Sequence, residues 1–344
     1  MKRKRLWLNV ALMITLTVMT VWYLSKTQII TPQTLSSLRF SSCITVVFWV
    51  YLNFAFLSFI EKFIYGSFCK YPYATAMLTT LYGNLGSSVS PLKSAHFPLK
   101  TYAQKTRGML LSQTLTGVTK CQIIFSLTSI FVYGTLMIIL IVFGQSLYIG
   151  EWIVPAYTVV AVGFSANVII CIVLTLVSRF EKLRTLVLTI LASIIKIFRK
   201  RFDKELFIRQ KTDRLQLFKQ QTSAVFSDFR LFLFPSIAYA VYMVTSCLAP
   251  YVSYLSVTGV AFSLKDCFNF YLLALAVVYL TNVIPVPGGC VVAEFSFSII
   301  FKAVLGKHLA QTLLLWRFCT YYIPTVINLV VFAITSLKRG AQNG

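Results

Sequence analysis

The sequence predicts an all-α, polytopic membrane protein: about eight transmembrane helices in two halves, re-entrant or broken segments in each half, and both termini cytoplasmic. Three observations carry that expectation. Of 344 residues, 58% are hydrophobic and only 12% charged, where a soluble domain carries about a quarter charged residues. Apolar runs close to the ~20 residues that a bilayer core demands recur along the chain. The basic residues between the runs collect on one side when the runs are threaded alternately through a membrane, as Lys and Arg do in cytoplasmic loops.

The first run, residues 6–24, follows Met1-Lys2-Arg3-Lys4-Arg5. Secretory signal peptides share that layout, but this run is long for one and no small-x-small cleavage site follows, so a retained helix is expected. Residues 40–60 form the second span. Residues 73–92 are apolar yet interrupted by Gly83, Gly86, several serines and Pro91. Uninterrupted spans follow at 121–143 and 153–177. A long polar stretch at 178–230 holds 13 basic and 5 acidic residues, and the apolar pattern resumes at 231–257, 268–284, 291–305 and 313–336. The chain thus divides into a membrane half (1–177), a basic cytoplasmic or interfacial region (178–230) and a second membrane half (231–344).

Charge counting decides how residues 73–92 are threaded. If that segment enters and leaves by one face, the cytoplasmic side collects 26 basic residues and the outer loops 4. If it crosses fully, the basic region moves outside, against the positive-inside tendency. A re-entrant segment is therefore expected. Within the basic region Lys182, Thr185, Thr189, Ser193, Lys196 and Lys200 recur every three or four residues between apolar ones. That is the pattern of an amphipathic interfacial helix suited to anionic lipid. Ordinary topology with no specific ligand fits it as well.

Net charge is +23, but with the basic residues set between membrane spans no nucleic-acid partner is expected. The eight cysteines form no CxxC and the histidines are only His96 and His308, so neither a metal site nor a disulfide framework is expected. A lone interfacial histidine such as His96 is more often incidental than catalytic. No catalytic residue is assigned and no cofactor is expected. With no Walker-type glycine loop, nucleotide-driven transport by this chain alone is not expected.

Two stretches stand out, one per half: Tyr82-Gly83-Asn84-Leu85-Gly86-Ser87-Ser88-Val89-Ser90-Pro91, and Asn282-Val283-Ile284-Pro285-Val286-Pro287-Gly288-Gly289-Cys290. Proline removes a backbone donor and glycine weakens a helix. Irregular backbone at membrane depth survives only where protein or a water-filled cavity satisfies it. Paired Gly/Pro breaks in two halves point to a midplane site, and freed amides there suit an anion such as a lipid phosphate. Two kinks or surface loops are the plainer alternative. Glu294 and Arg317 lie close to the second break, and intramembrane charges point to function. They can pair with each other, or contact the cationic and anionic parts of a zwitterionic headgroup. Arg317 can also snorkel to the outer interface. Lys93 and Lys100 follow the first break and are candidate headgroup contacts with them.

With these residues in view, the chain resembles the membrane region of lysylphosphatidylglycerol synthases over essentially its whole length. The resemblance is sharpest in Pro285-Val286-Pro287-Gly288-Gly289 followed by Glu294, and in Arg317 with Tyr321, Tyr322 and Pro324. In the first half Asn84, Pro98, Tyr102 and Gly108 look like the family's re-entrant element and its exit. The chain departs from the pattern at Val291, where a third glycine is common, at Ala293, where many members are basic, and at Ala95-His96-Phe97-Pro98. The resemblance implies a plasma-membrane protein that moves aminoacylated phosphatidylglycerol, or a related charged lipid, between leaflets and so blunts cationic peptides. Family members also transfer lysine from lysyl-tRNA through a separate soluble domain. Only eight residues follow Ser336, so a stand-alone member without that domain is expected. Two other classes stay open: lipid or glycolipid modification beside a separate soluble synthase or glycosyltransferase, and a scaffold recruiting a partner to anionic lipid. A homo-oligomer also stays open.

Overall fold

The computed structural model describes residues 39–144, 146–149, 152–180, 189, 229–283 and 286–342. The expected first helix at 6–24, nearly all of the basic region and Pro285 lie outside them. What is described is mostly helical, with one two-stranded antiparallel ribbon, β1 (Ser146–Ile149) and β2 (Trp152–Pro155). The ribbon departs from a purely helical chain. Its β2 residues were expected as the start of a span, but β-branched Ile153 and Val154 lie opposite Tyr148 and Leu147, a pairing that favours strands.

Five stretches of the described residues are long and apolar enough to cross a membrane: Phe40–Gly66, Leu111–Val142, Phe229–Cys247, Leu264–Asn282 and Lys302–Ser336. The protein is therefore a multi-pass membrane protein. Helix α1 (Phe40–Gly66) continues six residues past the span expected at 40–60. Its 27 residues reach about 40 Å, and the extension buries Glu61 inside the bundle.

From the Gly66 end of α1 the chain enters a helical hairpin. Helix α2 (Tyr73–Ser88) leads to a tight turn at Pro91–Lys93, and α3 (His96–Thr106) returns along it. Neither arm, at 16 and 11 residues, reaches the ~20 that a span requires. The close approach is written in the sequence. A Cβ at Gly86 would strike the backbone of Ala95, and one at Gly83 would meet the His96 ring at 2.9 Å. Residues 73–88 are thus one arm of a helical hairpin, with α3 as its return arm.

Helix α4 (Leu111–Val142) crosses to the ribbon, and α5 (Ala156–Arg179) returns antiparallel to it. Helices α6 (Phe229–Cys247) and α7 (Ala249–Thr258) cross again, with a break at Leu248. They are bound to α1 through the Trp49 indole, which donates to the Thr245 carbonyl at 3.0 Å, and the Ser42 hydroxyl, which donates to that of Ser256 at 2.8 Å. Helix α8 (Leu264–Val283) then runs to the second break.

That break ends differently from the sequence expectation. Residues 291–305, expected as a span, form α9 (Val292–Ile300) and a single turn α10 (Lys302–Leu305). The nine residues of α9 cover about 13 Å, under half of a ~30 Å hydrocarbon core. The physical reason is the local backbone. Gly288, Gly289 and Val291 all have positive φ (61°, 64° and 70°), so no helix runs through them. Helices α8 and α9 form a second hairpin with its tip at Pro287–Gly289. Both α9 and α10 pack beside β1, at the far end of the bundle from Gly66. The two hairpins therefore enter from opposite ends. The chain closes with α11 (Leu309–Arg317), a π-type turn at Phe318–Tyr322 and α12 (Ile323–Gln342).

Candidate functional site

The tips of the two hairpins meet. The Pro91–Lys93 turn packs on the Pro287–Gly289 turn, and the end of α2 rests on the latter as well. The two breaks, paired in the sequence as pointers to one midplane site, lie against each other in the interior. The Tyr321 hydroxyl, from the π-type turn, donates to the Ser88 carbonyl at 3.1 Å. Its ring lies so close to Gly288 that a Cβ there would collide with it. Further along α12 the Asn328 amide donates to the Asn84 side-chain oxygen at 2.9 Å, and Thr335 bonds the Tyr82 hydroxyl. Helix α12 is thus a spine along which the first hairpin is hung, residue by residue.

Glu294 and Arg317 pair with each other. The Arg317 Nε donates to Glu294 Oε1 at 2.6 Å, and its Nη2 donates to the Gly288 carbonyl at 3.0 Å. The guanidinium lies 4.1 Å from the Tyr321 ring centroid, a cation–π contact. Tyr322 donates more weakly to the same carboxylate oxygen, at 3.4 Å. At 3% and 7% exposure, neither side chain snorkels. The other oxygen, Glu294 Oε2, is buried with no hydrogen-bond partner. A desolvated carboxylate oxygen left unsatisfied is costly, so this atom is ready to accept a donor.

Lys93 and Lys100 diverge. Lys100 is buried in a pair with Glu61 of α1, inside a polar cluster where the Gln104 amide donates to the Tyr71 hydroxyl at 3.2 Å and Tyr71 bonds Thr79 at 2.8 Å. Glu61 Oε2, the Tyr65 hydroxyl and Gln104 Oε1 are buried there without partners. Sequence reasoning passes over Glu61 because the span expected at 40–60 ends one residue before it. Phe63, Ile64 and Tyr65 after it were the available signal that the helix goes on. Lys93 instead stands at the hairpin tip with φ 55°, a left-handed conformation that a side chain adopts only at a cost. Among the described residues no hydrogen bond or ion pair holds it.

Of the expected turn residues, Gly83, Asn84 and Gly86 lie within the regular helix α2 and not in a break, because the backbone stays helical to Ser88. Gly83 and Gly86 seat the first hairpin, Asn84 binds α12, and Pro91 opens the first tip. Pro287, Gly288 and Gly289 make the second. Among the described residues no group of His, Cys, Asp and Glu is arranged to hold a metal ion.

No curated protein matches the chain. The model of the lysylphosphatidylglycerol synthase TM region, by contrast, matches residues 6–327, and these include both hairpins, both buried ion pairs and the π-type turn. The chain belongs to the lysylphosphatidylglycerol synthase transmembrane-region family, and its function is a membrane-lipid one.

Proposed function

We propose that the chain is a lipid translocase of the plasma membrane that handles the headgroup of a charged phospholipid, aminoacylated phosphatidylglycerol being the first candidate. One observation supports the reading: two helical hairpins reach in from opposite ends of the bundle and meet tip to tip beside a buried acid–base pair. Such a junction sits where a headgroup moving between leaflets has to pass. It also offers both charges that a zwitterionic headgroup needs. The unpaired Glu294 Oε2 suits an ammonium group, and Lys93 suits a phosphate. Hydrogen bonds to a charged partner in a dry site are stronger than neutral ones.

The test uses the chain in proteoliposomes with labelled phosphatidylglycerol and its lysylated form. The wild-type chain should equilibrate the label between leaflets. Glu294→Gln and Arg317→Ala should each slow this by about tenfold or more, because removing one member of a buried charge pair costs ~2–5 kcal/mol. Wild-type rates in both variants, at equal protein content, would refute the proposal.

A further inference from the structure

Three backbone irregularities far apart in sequence fall where the two tips meet. Among the described residues, Lys93 and Val291 are the two that hold a positive φ without being glycine, at 55° and 70°. Lys93 ends the first tip, and Val291 follows the second by two residues. The third irregularity is the π-type turn Phe318–Tyr322, which interrupts the closing stretch between α11 and α12. Such turns inside α-helices are rare and gather at functional places.

A left-handed backbone brings Cβ against a neighbouring carbonyl, and branching at Cβ makes valine worse suited to it than most. A residue so held is strained and persists only where its surroundings over-determine it. Glycine would avoid the cost, and the chain uses glycine next door, at Gly288 and Gly289 with φ 61° and 64°. Side chains from one short stretch supply the constraint. Arg317, the last residue of α11, donates from Nη2 to the Gly288 carbonyl at 3.0 Å, and the Tyr321 ring lies against Gly288. The Tyr321 hydroxyl reaches the other hairpin and donates to the Ser88 carbonyl at 3.1 Å. Two residues of the closing stretch therefore grip both hairpins.

We propose that Arg317 and Tyr321 are a latch that holds the two strained tips together, and that the phosphate of a phospholipid opens it by taking Arg317 from the Gly288 carbonyl. This rests on the lipid-handling reading and deepens it: the junction becomes a gate that its own cargo unlocks. A peptide carbonyl is a neutral acceptor, whereas phosphodiester oxygens carry charge and bind a guanidinium more strongly. A phosphate at the junction displaces Gly288 from Nη2, while Arg317 Nε keeps Glu294 Oε1 at 2.6 Å. Val291 then loses one of the constraints that hold it. Relief of the strained backbone at Lys93 and Val291 offsets part of the cost of separating tips that pack on each other.

The test is amide hydrogen exchange on the purified full chain in a phosphate-free glycoside detergent, read at the tip peptides 89–96 and 286–293. The probes are phosphatidylglycerol, a phosphate-free diacyl glycolipid and inorganic phosphate. Phosphatidylglycerol should speed exchange at both tips together several-fold, and the glycolipid should leave it unchanged. Tyr321→Phe, which removes the hydroxyl that grips Ser88 and little else, should speed exchange of the first tip with no lipid present. Arg317→Lys, which cannot hold Glu294 and the Gly288 carbonyl at once, should do the same at the second. Val291→Gly should act in the opposite sense. By relieving strain in the closed form it should slow tip exchange, raise the melting temperature and slow translocation several-fold, a trade of activity for stability. Tip exchange unmoved by phosphatidylglycerol, or a Val291→Gly protein that translocates at the wild-type rate or faster, would overturn the latch. Inorganic phosphate acting while phosphatidylglycerol is silent would overturn the part given to the lipid. With Glu294→Gln still slowing translocation, each of these results leaves the translocase reading standing. Tips that respond to phosphatidylglycerol in a chain that moves no lipid would keep the latch and end that reading.

Discussion

Among the described residues two carboxylates sit in the interior, and each is answered by one base on a neighbouring element. Glu61 lies on the crossing helix α1 and its base Lys100 on the first hairpin; Glu294 lies on the second hairpin and its base Arg317 on the long closing stretch. Such pairs are weak evidence for stability as pairs, but breaking one partner strands a buried charge at ~3–5 kcal/mol. Glu61→Gln should therefore lower the melting temperature of the purified chain more than Glu61→Gln/Lys100→Met does. Thermal unfolding followed by intrinsic fluorescence measures the difference, and a double variant as unstable as the single one would deny the pair its structural role. Of the two acids, Glu294 was legible in the sequence because it stands alone among Val, Ala and Phe after an obvious break. Glu61 was not, because Lys62 beside it makes the pair look like the polar edge of a loop. Burial of that edge comes from the packing of α2, α3 and α4 around it, which no local pattern carries.

At the scale of elements, the hairpins depend on glycines in two different ways. Gly86 is in ordinary helical backbone and matters for space, since any Cβ meets the Ala95 backbone. Gly288 matters for conformation and space together, with φ 61° and the Tyr321 ring against it. Gly86→Ala should destabilise by about 1–3 kcal/mol, the usual cost of overpacking, with the site chemistry unchanged. Gly288→Ala should instead abolish translocation, because it moves the carbonyl that accepts from Arg317 and the ring that braces it. Melting temperature and translocation rate, measured on both variants, separate the two effects. A Gly288→Ala protein with wild-type transport would contradict this reading. Both breaks were plain in the sequence, but the second was misjudged in length. Its apolar continuation, Phe295 to Leu305, reads as a span by composition alone. Only the run of positive φ through Gly288, Gly289 and Val291 shows that the chain turns back. Val291 in particular is a β-branched residue in a left-handed conformation, and composition gives no sign of that.

For the whole molecule, the correction at residues 291–305 leaves the threading parity intact. A hairpin that returns to its own face changes no downstream side, so charge counting gave a threading that the shorter α9 does not disturb. Composition made the membrane class legible, and the runs of ~20 apolar residues made most spans legible. That the two breaks serve one place was legible from their pairing, but the tip-to-tip contact was not, because it depends on how α1, α6 and α12 pack, with some 200 residues separating Pro91 from Pro287. If the hairpins enter from opposite faces, single cysteines placed in a cysteine-free chain at Lys70 and at Lys307 should be labelled by a membrane-impermeant maleimide from opposite sides of sealed vesicles. Labelling of both from one side would break the opposed arrangement.

The claim on which the rest depends is that a lipid headgroup occupies the junction of the two tips. Photo-crosslinking tests it most directly: a phosphatidylglycerol with a diazirine in its headgroup, activated with the chain in vesicles and mapped by peptide mass spectrometry. Adducts should concentrate on residues 87–96 and 286–294, and excess unlabelled phosphatidylglycerol should suppress them. Adducts confined to the loops at the two ends of the bundle, around residues 67–72 and 259–263, would contradict the account.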